Sequence, residues 1–313
     1  DKEKEKIDQK VNEQFNLLNA ELDIDNPESR IHRLSYDCIF GTDANPRMAR
    51  TAKMNMIMHG DGHGGVHHHD GLLNVNGIFD NRFDIILTNP PFGARVEKSL
   101  KITERDKYKD TGRIAKYTAR YGEEYLKALE QINDNIGKSV LSLYDLGDMS
   151  SLTEVLFIER CLHLLRPGGR MGIVLPEGVL NNTKLQKVRD YVEGRAKIIN
   201  ITSIPQDVFI ASGATVKPSL LFFKKFTEEE AKKYNKIKNE ATKSANERHN
   251  EEKENVEEQL KVRGLGKEEK KELKDKLNQL LQQIEDEITS EVKTRFDYEI
   301  PIVEVEKAGI STT

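Results

Sequence analysis

Apolar positions along the chain alternate between helical and strand spacing, and the points where the spacing changes outline the elements. Ile7, Val11, Leu18 and Leu22 recur at helical spacing behind a charged lead, which predicts an amphipathic helix from Asp1 to Leu22. Polar residues 23–33 then predict a loop. Tyr36 to Asp43 reads as a short buried strand ending on a carboxylate, and Asn45-Pro46 opens an Ala- and Met-rich helix to about His59. Phe83 to Thr88 reads as a second buried strand. Asn89-Pro90-Pro91-Phe92-Gly93 stops it, because proline has no N–H to give to a ladder.

A polar stretch from about Ala94 to Ser150 follows, with one helix predicted near Glu123 to Ile132. A connection that long in a compact domain is usually functional. Next come an amphipathic helix from Leu152 to Leu165, a turn at Arg166-Pro-Gly-Gly169 and a strand from Arg170 to Leu175. A helix near Leu185 to Glu193 and strands near Ile198 to Ile204 and Thr215 to Phe223 complete the series. This alternation predicts an α/β fold with a doubly wound, largely parallel sheet and right-handed crossovers. From Thr227 the composition turns to Glu, Lys, Gln and Asn, with Leu273, Leu277, Leu281, Ile284 and Ile288 three or four residues apart. This predicts long helices broken at Gly264-Leu265-Gly266 into a hairpin, whose apolar stripe is expected to dock on a partner subunit, with packing on the chain's own catalytic domain as the competing explanation. Tyr298 to Glu306 is strand-like.

Composition adjusts this picture in three ways. The chain has no apolar run of about 18 residues and no leader with charged, apolar and small-residue zones, so a cytoplasmic protein without a membrane span is expected. Cys38 and Cys161 are far apart in apolar surroundings, which predicts core thiols rather than a disulfide or a metal centre. A net charge of -4 leaves no basic surplus for gripping a phosphate backbone alone. Any nucleic-acid role therefore needs a partner or a local basic face. Lys98, Lys101, Arg105, Lys107, Lys109, Arg113, Lys116 and Arg120 offer such a face, although acidic residues interleave with them.

The residues with the most specific chemistry are Asn89, Pro90, Pro91 and Phe92, at the carboxyl end of a strand, where ligands sit in open α/β sheets. Pro90 pushes Asn89 out of the helical region, so the Asn89 side chain and the Pro90 carbonyl are able to present acceptors to one point. An exocyclic amine would satisfy both, and Phe92 would stack on its ring. Five histidines, His59, His63, His67, His68 and His69, invite a metal reading. No ligand set with cysteine or helical spacing accompanies them, so no metal is expected. The glycines of Arg166-Pro-Gly-Gly169 lack the spacing of a phosphate cradle.

The segment Arg82-Phe-Asp-Ile-Ile-Leu-Thr-Asn-Pro-Pro-Phe-Gly93 resembles the catalytic motif of amino-group DNA methyltransferases. Gly41-Thr-Asp-Ala-Asn-Pro46 is similar to the second cofactor motif of the same family, and Leu164 to Leu180 is similar to its segment leading into the fifth strand. Phe209 to Phe223 is similar to the downstream hairpin, so the likeness covers roughly Tyr36 to Phe226 in family order. The flanks resemble the modification subunit of type I restriction systems.

The resemblance implies a Rossmann-like, S-adenosylmethionine-dependent methyltransferase that acts on adenine N6 of double-stranded DNA with a specificity and a restriction subunit. It implies that Asp43 and Ala44 meet the cofactor ribose, that Asp70 accepts from its adenine amine beside Gly71, and that Leu72 lies against the ring. Asn89 to Phe92 would hold the target base, with Asn89 also near the cofactor. The expected organisation is a catalytic domain over residues 1–226, a helical arm over 227–296 and the start of a further segment over 297–313. The family's glycine-rich first motif has no counterpart before Asp43, so the sheet is expected without its first strand. An RNA or a protein glutamine amide would use the same acceptor pair, and a non-catalytic interaction module is the alternative from another class.

Overall fold

The structure, a computed structural model, describes residues 2–60, 65–107, 109–212, 216–261 and 266–307. In chain order its elements are α1 (Lys2–Glu21), α2 (Arg30–Arg33), β1 (Gly41–Asp43), α3 (Pro46–Met58), β2 (Val66–His68), β3 (Phe83–Thr88), α4 (Thr111–Asn133) and α5 (Thr153–Leu164). There follow β4 (Leu165–Pro176), α6 (Gly178–Asn181), α7 (Gln186–Glu193), β5 (Ala196–Ser203), β6 (Pro218–Lys225), α8 (Glu228–Lys261), α9 (Lys267–Arg295) and β7 (Ile302–Glu304). They divide into one unit of Asp1–Phe83 with Gly93–Arg166 and another of Asp84–Phe92 with Pro167–Thr313. Among the described residues no helix is long and apolar enough to cross a membrane.

In the first unit β1 and β2 pair in parallel, with Asp43 opposite His68. Helix α3 starts where the Asn45-Pro46 dipeptide predicts. The Asn45 side chain accepts from the backbone N–H groups of Arg47 and Met48, and Pro46 supplies the fixed φ of the first turn. The strand expected from Tyr36 shrinks to Gly41–Asp43. Ser29 caps a short helix by accepting from the His32 N–H, and the turn continues as a π-helical stretch over Leu34–Cys38. Cys38 is exposed there, contrary to the core thiol expected, whereas Cys161 is buried and its thiol is pushed up to about 12 by desolvation.

The polar stretch after Gly93 is largely a packed part of this unit rather than a free loop. Ile102, Ile132, Val140, Leu141 and Tyr144 form one core cluster with Leu72, Leu73 and Leu156. Helix α4 reaches back to Thr111, capped by the Asp110 side chain, and bends at Gly122, whose φ of 61° suits glycine. Of the basic residues in this stretch, Arg113 pairs with Asp110 at 3.3 Å and Arg120 pairs with Asp37.

In the second unit the sheet order is β3-β4-β6-β5-β7. β6 runs antiparallel to both β4 and β5, and β7 runs parallel to β5. The strands β4, β5 and β7 thus share one direction, and the expected parallel arrangement is interrupted by the reversed strand β6. The turn expected at Arg166–Gly169 is absorbed into β4, with φ 79° at Gly168. β3 is an edge strand, and Ile85 and Leu87 are 67% and 78% exposed, so the buried strand expected here shows one open apolar face.

Helices α8 and α9 form the predicted hairpin, and Gly264 and Leu265 of the predicted break lie outside the described residues. Part of its stripe turns inward. Ile284 and Leu280 are buried against Ala245 of α8, and Ile288 packs on both this cluster and that of Ile237, Ala241 and Val292. Ile284 and Ile288 of the stripe are therefore covered by the hairpin's own first helix, whereas Leu281 is 41% exposed. After α9, Phe296 joins an aromatic cluster with Phe226, Tyr234 and Tyr298, and β7 pairs with β5 at Ile201 to Ser203.

Candidate active site

The residues expected to act divide between the units: Asp43, Ala44, Asp70, Gly71 and Leu72 belong to the first, Asn89 to Phe92 to the second. In the first unit they gather at the carboxyl ends of the parallel pair β1 and β2. The Asp43 carboxylate accepts from the Asn45 N–H at 2.7 Å through Oδ1, which fixes the side chain at the start of α3. The Ala44 carbonyl lies 3.1 Å from His68 Nε2, and the Asp43 carbonyl accepts from the His69 N–H at 3.2 Å. Asp70 accepts from the Leu72 N–H at 2.9 Å through Oδ1. Both acids are half-buried, and the second oxygen of each takes no hydrogen bond from the described residues.

A Cβ at Gly71 would come 2.9 Å from the tip of the Phe157 ring, so a larger residue there would have to displace that ring. The Leu72 side chain is 3% exposed and lies in the core cluster with Ile102 and Ile132, which anchors the loop.

The histidines point in different directions. His67 is half-buried beside Asn76, His68 is exposed and His69 Nδ1 meets the Asp70 carbonyl, while His63 lies outside the described residues. Among the described residues no group of three or more His, Cys, Asp or Glu is arranged to hold a metal ion.

In the second unit Asn89 is exposed at the end of β3, and Pro90 behind it is buried. Leu87, Thr88 and Asn89 line a cleft of about 360 Å³ with Gly172, Ile173 and Val174 of β4 and Leu220 and Phe222 of β6. Gly172 keeps it open, since a Cβ there would come 3.0 Å from Leu87 and 3.1 Å from Phe222. Phe92 meets Phe209 edge to face at 5.8 Å and 79°, which sets the orientation of its ring. Gly213, Ala214 and Thr215 of the downstream hairpin lie outside the described residues.

One buried acid escaped the sequence reading. Glu154, in the first turn of α5, accepts from the Gly93 N–H at 3.2 Å through Oε1, and its Oε2 is buried with no partner among the described residues. It holds the residue that follows the Asn-Pro-Pro-Phe turn, where φ is 69°. The signal was a carboxylate in the first turn of a helix whose Val155, Leu156, Ile158, Leu162 and Leu164 are buried.

The sequence profile of the N-6 DNA Methylase family matches residues 17–140 and 121–275. The chain is 26% identical over 225 residues to the type I restriction enzyme EcoKI methylase subunit of Escherichia coli K12, and the match covers 70% of this chain. The StySJI methylase subunit of Salmonella typhimurium LT2 gives the same identity and coverage. Each match spans 33% of the relative, so the chain corresponds to about a third of their length. Among solved structures, the EcoKI M protein is similar at a TM-score of 0.44 and 21% identity, covering 64% of this chain and 33% of that one. With its profile matched from residue 17 to residue 275, the chain belongs to the N-6 DNA methylase family.

Proposed function

We propose that this chain is the catalytic portion of a DNA adenine-N6 methyltransferase that uses S-adenosylmethionine and serves as the modification subunit of a type I restriction system. The observation that carries the reading is the Asn89-Pro90-Pro91-Phe92 turn at the end of β3, opening on a cleft lined by β4 and β6. The residues fit the cofactor by their chemistry. Half-buried carboxylates at Asp43 and Asp70 each keep one oxygen for a donor, and ribose hydroxyls and an adenine amine are donors. When bound, S-adenosylmethionine supplies an activated methyl on its sulfonium.

The chain's own work is to bind and orient. The exocyclic nitrogen of adenine is a poor nucleophile because its lone pair is delocalised into the ring. The Asn89 side chain and the Pro90 carbonyl accept its two hydrogens, draw it toward tetrahedral geometry and leave the lone pair toward the methyl donor. Phe92 stacks on the flipped base, and stacking of about 1–3 kcal/mol per base offsets the few kcal/mol of unstacking. Holding the reactants in line supplies on the order of 7–11 kcal/mol of the barrier reduction. Duplex DNA, a specificity subunit and a restriction subunit are the partners this reading requires, acting in the cytoplasm.

The test is methyl transfer to duplex adenine by the full-length protein with its specificity subunit. Asn89→Ala is expected to abolish transfer while cofactor affinity stays within a few-fold. Near-normal turnover by the variant would remove Asn89 from the chemistry.

A further inference from the structure

Helix α5 buries two oppositely charged neighbours, Glu159 and Arg160, that do not pair with each other. Adjacent helix positions face about 100° apart, so each reaches a different segment. Glu159 accepts from the backbone N–H groups of Asp145 and Leu146, both at 2.8 Å, through its two oxygens. This clamps the turn that carries Tyr144. Arg160 donates from Nε to the Gly71 carbonyl at 3.2 Å and from Nη2 to the Leu73 carbonyl at 3.0 Å. Its Nη1 donates to Asn74 Oδ1 at 2.8 Å and Asp80 Oδ1 at 3.2 Å. The Tyr144 hydroxyl donates to the carbonyl between them, that of Leu72.

Three consecutive carbonyls, Gly71, Leu72 and Leu73, are thus taken up by two buried side chains from elsewhere in the same unit. Without these donors they would be buried and unpaired, which backbone groups in folded proteins avoid. Tyr144 stacks on His163 with centroids 6.2 Å apart and planes 9° apart, and burial raises its phenol well above the usual range, so it stays a donor. Burying a charged pair is costly and is weak evidence for stability alone. Its evident product is a loop whose carbonyls at residues 71–73 are fixed, next to a half-buried Asp70 with one oxygen that takes no hydrogen bond from the described residues.

We propose that Arg160 and Tyr144 are positioning residues for cofactor recognition, holding the 71–74 backbone so that Asp70 meets the cofactor's adenine amine already oriented. The inference rests on the reading that Asp70 binds that amine. A loop fixed beforehand loses less freedom on binding, so the effect belongs to affinity and base discrimination and not to the transfer step.

The experiment measures affinities of the full-length protein for S-adenosylhomocysteine and for S-inosylhomocysteine, which lacks the amine, by calorimetry. The unmodified protein is expected to prefer the adenine compound by about tenfold. Asp70→Ala should lose this preference, and Tyr144→Phe, which removes one hydroxyl, should reduce it to less than about threefold with kcat at saturating cofactor within about twofold. Preference retained in Asp70→Ala overturns the assignment of Asp70 and this proposal with it. Preference lost in Asp70→Ala but intact in Tyr144→Phe overturns the positioning role alone. Arg160→Lys, which keeps the charge but cannot reach four acceptors, repeats the comparison should Tyr144→Phe fail to fold.

Discussion

His67 shows how one side chain sets the pH response of the fold. It lies in β2, with Nδ1 3.1 Å from Asn76 Nδ2, while its Nε2 is buried with no partner among the described residues. Burial, then the charges of Lys53, Arg113 and His69, lower its pKa from 6.5 to about 4. The unfolded chain takes up this proton below about 6.5 and the folded chain only near 4. Stability is therefore full above pH 6.5 and declines as pH falls through that window, by on the order of 2–3 kcal/mol. The melting temperature should drop between pH 6.5 and pH 4 in the unmodified chain and drop less in His67→Gln; equal slopes would assign the loss to other groups. At this scale Asn45 as a helix cap was legible, because its role is local. Glu154 and Arg160 were not, because their partners lie about 60 to 90 residues away, and neither were Leu72 and Glu159, whose partners belong to the irregular stretch after Gly93.

Elements with a sustained period were legible, and those without one were not. The helices α3 and α9 fall where capping and spacing place them. The core contributed by residues 94–150 was hidden, since Ile102, Ile132, Val140, Leu141 and Tyr144 follow neither a two-residue nor a helical period. The apolar stripe of α9 was legible as a stripe but not as to its cover, which is α8. That cover makes a prediction. Leu280→Glu with Ile284→Glu places two charges against Ala245 and should destabilise the hairpin by on the order of 3 kcal/mol or more. Leu281→Glu, at a position 41% exposed, should change little. Thermal melts followed by far-UV circular dichroism separate the two, and an unchanged melt in the double variant would mean that the seam is not packed as described.

For the whole molecule, charge decides how DNA would be held under the proposed function. The chain carries a net -4, and two of its candidate basic residues, Arg113 and Arg120, are engaged with Asp110 and Asp37. Lys98, Lys101, Arg105, Lys107, Lys109 and Lys116 are exposed and available to phosphates. Each phosphate neutralised contributes about -0.9 to the slope of log affinity against log salt, so this group supports a slope no steeper than about -5. Affinity at physiological salt should then fall in the non-specific range, roughly 10⁻⁴ to 10⁻⁶ M, without sequence preference. A specificity subunit adds both phosphate contacts and base readout, which are separate tasks. Fluorescence anisotropy across a salt series is expected to give a shallow slope for this chain alone, and a steeper slope with tighter, sequence-dependent binding once that subunit is added. Nanomolar, sequence-selective binding by the chain alone would overturn this division of labour and place the DNA grip on the chain itself.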